Sequence, residues 1–159
     1  MRILGIDPGY DRVGVAIVDK VQGVETLLFS DCIVTNRQFE ISARIYTVGQ
    51  AIEQIIREYT PDILAIEALL FNTNQKTAMR VAEARGVMLY IASAYELGIH
   101  EYTPSQIKIA LTGHGSAPKD QVASMVRNIT KMTKEVKFDD EMDAVAVALT
   151  GSASIRSLE

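Results

Sequence analysis

A chain of 159 residues, 48% apolar and 23% charged, suits one soluble domain with a substantial core and excludes a disordered polymer. No uncharged apolar run of about 18 residues occurs, so no membrane span is expected. Net charge is −4, which argues against a nucleic-acid partner until its distribution is read: residues 76–137 hold nine bases and five acids, against seven and fifteen elsewhere.

Asp7-Pro8 breaks the N-terminal apolar run before a secretory h-region can form, and Cys32 is the single cysteine, so a reducing cytoplasm is the expected setting. Arg2 to Asp7 (RILGID) reads as a buried strand that stops on a carboxylate. Pro8-Gly9 turns the backbone away and leaves Asp7 at a sheet edge. Arg12 to Asp19 alternates Val13, Val15 and Ile17 with small Gly14 and Ala16, and Val24 to Val34 follows a turn at Gln22-Gly23. Links this short favour antiparallel pairing.

The period then changes. Ile41, Ile45, Val48, Ile52, Ile55 and Tyr59 recur at helical steps up to Thr60-Pro61. Asp62 to Glu67 (DILAIE) is a short apolar strand that again finishes on an acid. Thr73 to Gly98 reads as a helix, apolar almost all round from Val87 to Leu97. Such a helix needs cover on several sides, from a second subunit or from a buried layer within the chain.

His100 to Thr103 is a fifth strand, and Thr103-Pro104-Ser105-Gln106 carries a helix-start signature. Pro118 opens a helix running to about Met132. The last helix starts near Asp139, and residues 151–159 read as a flexible C-terminal tail behind a single domain over 1–150. The expected fold is α/β and ribonuclease H-like. Its mixed five-stranded sheet has three antiparallel strands followed by parallel ones, flanked by helices.

Asp7 and Glu67 end two separate apolar strands, and Asp140 and Asp143 share one face of the last helix. Acids in a first helical turn also complement the macrodipole, which accounts for Asp139, Asp140 and Glu141 but not for the others. If the four converge, each pair at 4 Å repels by roughly 4 kcal/mol. No cation neighbours them along the chain to offset this. Divalent ions would, and an all-oxygen donor set favours Mg²⁺, with Mn²⁺ substituting, over Zn²⁺. Two such ions serve phosphodiester hydrolysis, so the acid set fits a metal-dependent nuclease.

The segment TGHGSAPKDQ lacks the lysine spacing of a P-loop, but it sets Lys119 in the first turn of a helix, where a cation and free N–H groups can meet a phosphate. Lys108, one helix upstream, could line the same groove. Taken singly, each lysine is better explained as a solvated surface residue. In EALLFNTNQKTAMR, Leu70 and Phe71 are candidates to wedge or stack on bases, with Lys76, Arg80 and Arg85 as further DNA contacts.

RILGIDPG, AIE, ARGV, YTPSQIK, the glycine-lysine segment Gly113 to Val122 and the acidic segment Asp140 to Ala148, in this order, resemble the RuvC family of Holliday junction resolvases. The resemblance implies a homodimer that cuts four-way DNA junctions with symmetric nicks, leaving 5′-phosphate and 3′-hydroxyl ends in recombination and repair. It implies Mg²⁺ at Asp7, Glu67, Asp140 and Asp143, catalytic and phosphate-contact roles for Lys119 and Lys108, and the RuvA–RuvB branch-migration complex as partner. Leu70 stands where the family often has an aromatic, with Phe71 beside it. Two rival readings are a YqgF-like ribonuclease H-fold protein acting on RNA and an actin-like nucleotide-binding module. The latter needs a second lobe that this length cannot supply.

Overall fold

A computed structural model describes residues 1–69 and 75–155. The elements are β1 (Arg2–Asp7), β2 (Arg12–Val21), β3 (Val24–Val34), α1 (Ile41–Tyr59), β4 (Ile63–Glu67), α2 (Gln75–Ala94), β5 (Gly98–Tyr102), α3 (Pro104–Thr112), α4 (Lys119–Thr130) and α5 (Asp139–Ser154). The strands form one sheet in the order β3-β2-β1-β4-β5. β1–β2 and β2–β3 pair antiparallel, β1–β4 and β4–β5 parallel, so the expected ribonuclease H-like mixed sheet is the one that forms.

Period-two alternation sends successive side chains to opposite faces. Leu4, Ile6, Val13, Val15, Leu64 and Ile66 meet α1 and α2 on one face. Ile3, Ala16 and Ala65 meet α3, α4 and α5 on the other. The apolar stripe of α1 buries Val48, Ile52, Ile55 and Ile56, each contributing about 1.5–3 kcal/mol against exposure. α2 turns Ala84, Met88 and Ala92 into the same core, while Val87 and Ile91 close on Gly49 of α1. Tyr90 remains 74% exposed, so one chain covers only part of this apolar helix.

Several boundaries differ from expectation. α2 ends at Ala94, not Gly98, because Leu97 N–H turns back to Ala92 O (3.0 Å) and Glu96 takes a left-handed φ of 58°. Pro118 is the N-cap of α4 rather than its first residue. The last helix passes the expected domain boundary at 150 and continues to Ser154, with Gly151 and Ser152 buried. Those small residues are packing residues: a Cβ on Gly151 would stand 2.9 Å from Ala65 Cβ. The expected tail therefore does not begin at 151.

α5 is the element that brings the two ends of the chain together. Its backbone lies directly on β1 and β2, since a Cβ on Gly5 would strike Ala144 O and one on Gly14 would fall inside the Asp140 carbonyl. Only residues without side chains allow this approach.

Candidate active site

Strand register sets the first two acids side by side. Ile6 pairs with Ile66 in the parallel β1–β4 ladder, so Asp7 and Glu67 each stand one step further on. Both share parity with residues facing α5, Asp7 with Ile3 and Glu67 with Ala65. α5 meets them with Asp140 and Asp143, one turn apart on its first turns.

Asp7 senses the charge of the other three acids. Burial, followed by the charges of Glu67, Asp143 and Asp140, pushes the Asp7 carboxyl up to about 8, and Lys119 offsets this in part. Glu67 is raised by burial and by Asp143, again against Lys119. Lys119 Nζ donates to Asp143 Oδ2 at 2.9 Å and lies 3.3 Å from Asp139 Oδ2. Burial alone would lower the Lys119 pKa, yet these two carboxylates outweigh it and hold the ammonium above its usual value. The compensating cations absent along the chain are supplied in space.

Arg12 is a second such cation, and sequence reasoning missed it. Its Nε stands 3.1 Å from Asp140 Oδ2. That oxygen is buried and takes no hydrogen bond. Nothing local in the sequence signals this pair, because the partners lie on the second strand and the last helix.

Arg44 was missed too, and it clamps the turn that follows Asp7. Buried at the start of α1, it donates to Thr35 Oγ1 at 3.0 Å and to Tyr10 O at 3.2 Å, and it pairs with Asp11. Thr35 Oγ1 donates to Tyr10 O at 2.6 Å. The loop leaving Asp7 is thus tied to both α1 and the end of β3.

Lys108 and Lys119 line a cleft of about 210 Å³ together with Glu67 and Asp143. Arg85 is engaged within the protein. Its side chain is 14% exposed and paired with Glu101 at 2.6 Å, and its Nε makes a long bond of 3.4 Å to Glu67 O, bracing the end of β4. Arg80 is partly exposed and pairs with Glu83 within α2 at 2.9 Å. Leu70, Phe71 and the side chain of Lys76 lie outside the described residues. Glu141 is structural: it is buried, and its Oε1 accepts from Ser30 Oγ and Lys134 Nζ, both at 2.7 Å.

Among the described residues no three His, Cys, Asp or Glu side chains form a ready-made metal cage. The donor set nonetheless fits hard cations. Asp7 is pushed up by burial and by the neighbouring acids, and Asp140 offers a buried oxygen with no hydrogen bond. Closing the acids around an ion requires Arg12 and Lys119 to loosen their hold.

A family model described as crossover junction endodeoxyribonuclease RuvC matches residues 3–151. A protein of that name from Finegoldia magna is 44% identical over 149 residues, covering 94% of this chain and 91% of the relative. Another from Alkaliphilus oremlandii is 42% identical, with the same two coverages of 94% and 91%. The solved structure titled T. thermophilus RuvC in complex with Holliday junction substrate superposes with a TM-score of 0.89 at 31% identity, over 96% of this chain and 93% of that one. With relatives this similar across nearly their full length, on a sheet that carries acids at the ends of β1 and β4, the chain belongs to the RuvC family of crossover junction endodeoxyribonucleases.

Proposed function

We propose that this nuclease resolves four-way DNA junctions by paired symmetric nicks, hydrolysing one phosphodiester in each of two strands and leaving 5′-phosphate and 3′-hydroxyl ends. The observation that carries the reading is that Asp7, at the end of β1 beside Glu67 at the end of β4, is acted on by the charges of Glu67, Asp140 and Asp143 together. A solved relative titled as a complex with Holliday junction substrate supports the choice of DNA.

Asp7, Glu67, Asp140 and Asp143 would hold a pair of Mg²⁺ ions, with Mn²⁺ substituting. Bound there, such ions supply an activated water and stabilise the leaving oxygen. The chain's own residues do the rest. Without bound cations the acids' negative charge would repel the scissile phosphate. Lys119, released from Asp143, is within reach of that phosphate. Lys108 on the same cleft holds a neighbouring backbone phosphate.

Two equivalent nicks call for two copies related by a two-fold axis, hence a homodimer. Exposed Tyr90 and Met79 on α2 and Tyr46 on α1 support assembly through the helices. The RuvA–RuvB complex is the proposed partner and the cytoplasm the proposed setting. Among the described residues no helix is long and apolar enough to cross a membrane.

The test is a labelled mobile four-way junction incubated with and without Mg²⁺. Symmetric, ligatable duplex products that appear only with the metal are expected. Cutting of structured RNA with none of junction DNA would overturn the proposal. Lys119→Ala is expected to lose roughly 10²-fold in cleavage rate with little loss of junction affinity. Single-turnover kinetics beside gel-shift titration checks this, and a defect in affinity alone would reduce Lys119 to a positioning contact.

A further inference from the structure

A second basic group lies beside the acids, on β2. Arg12 opens that strand with its side chain 46% exposed, close to Asp140. The same guanidinium lies over the ring of Phe138, 5.1 Å from the centroid. Lys137 Nζ lies 5.2 Å from the centroid of that ring. Two like charges are therefore gathered on one aromatic side chain directly before the acidic turn of α5.

Their anions are unequally supplied. Arg12 has Asp140, but off axis, for the Asp140 oxygen it faces takes no hydrogen bond. Lys137 forms no ion pair among the described residues, although its neighbour Lys134 is engaged with Glu141 at 2.7 Å. An exposed guanidinium has a planar fork of donors that matches two phosphate oxygens better than one tilted carboxylate oxygen. Arg12 also blocks the site as it stands, because a divalent cation ligated by Asp140 would repel it.

We propose that Arg12, with Lys137 beside it on the Phe138 ring, is a second phosphate-holding station for the DNA strand crossing the pocket, and that Arg12 exchanges Asp140 for a phosphate when a divalent cation enters. This rests on the junction-cutting reading above. Metal and DNA then favour one another through Arg12. The ion frees the guanidinium for the backbone, and a bound phosphate keeps it from returning to Asp140. Phe138 serves as the pivot, since the ring can hold the guanidinium in both positions.

The test measures binding of a labelled four-way junction in Ca²⁺ across a salt series, together with Mn²⁺ binding by calorimetry without DNA. Arg12→Gln is expected to make the plot of log affinity against log salt shallower by about 0.9, the loss of one phosphate contact. It is also expected to bind Mn²⁺ several-fold more tightly, Asp140 having lost its competitor. Arg12→Lys should keep most of the salt slope, and Lys137→Gln should reduce it. An unchanged slope in Arg12→Gln with tighter Mn²⁺ binding would make Arg12 a counterion of Asp140 alone and overturn the proposal. Unchanged slope and unchanged Mn²⁺ affinity would overturn it as well. Should Arg12→Gln fail to fold by circular dichroism, Lys137→Gln decides, and a wild-type slope there refutes the station. Wild-type protein that binds no junction would instead sink the junction-cutting reading.

Discussion

Asp7→Asn is expected to lower strand cleavage roughly 10³-fold or more while junction binding persists or tightens. The amide keeps the shape of the side chain and removes one negative charge from a pocket that repels phosphate. A gel assay of cleavage beside a gel-shift titration reads both effects, and wild-type cutting by the variant would remove Asp7 from the mechanism. The same substitution should act on stability, with a definite sign. Folding raises the Asp7 pKa from 3.8 to about 8, so the folded state binds the proton more tightly than the unfolded one. The penalty is absent below about pH 4, grows as pH rises, and is complete above about pH 8. At about 1.4 kcal/mol for each tenfold change in the proton equilibrium, the ionised carboxylate costs on the order of 6 kcal/mol. Metal-free wild type should therefore lose thermal stability from pH 5 to pH 8, and Asp7→Asn should lose much less. Parallel melting curves in chelator across that range would contradict the account.

Gly14→Ala is the second large effect, and it acts through backbone. A methyl group there would occupy the space of the Asp140 carbonyl and approach Ala144 Cβ at 3.1 Å. Neither the middle of β2 nor the first turns of α5 can yield like a flexible side chain, so the helix must lift from the sheet. Overpacking of this kind costs about 1–3 kcal/mol, occasionally more. Lifting α5 carries Asp140 and Asp143 away from Asp7 and Glu67, and a displacement of about 1 Å can cost on the order of 10²-fold in rate. Urea denaturation and single-turnover cleavage should both register the change. A variant with a wild-type midpoint and rate would mean that α5 does not rest on Gly14 as described.

Where a residue's role is declared by its immediate neighbours, the sequence was readable. β1 and β3 have the bounds expected from apolar runs and turns, and α1 those expected from its stripe. Thr103 and Gln106 form the reciprocal cap that the TPSQ segment announces. Asp7 and Glu67 were visible because a core strand rarely ends on an acid without a use for it. Arg12 and Arg44 were invisible because each makes its meaning with partners brought near only by the sheet and the last helix. Gly151 and Ser152 misled for a related reason: small residues read as a loose tail in isolation and as close packing only once Ala65 and Ile3 lie opposite. Arg85 is singled out in the sequence by charge alone, and its ion pair with Glu101 depends on the strand ends beside it.

The arrival of half the acids on α5 bears on how the molecule comes into being. During synthesis the hairpin strands and the first helix can associate as soon as they leave the ribosome, since their contacts are short in sequence. Asp140 and Asp143 emerge after all five strands and must dock back onto the first two. On the proposed role of Asp140 and Asp143, a nascent polypeptide lacks half of its acid set until α5 has emerged and docked, and the order of translation delays the cutting activity accordingly.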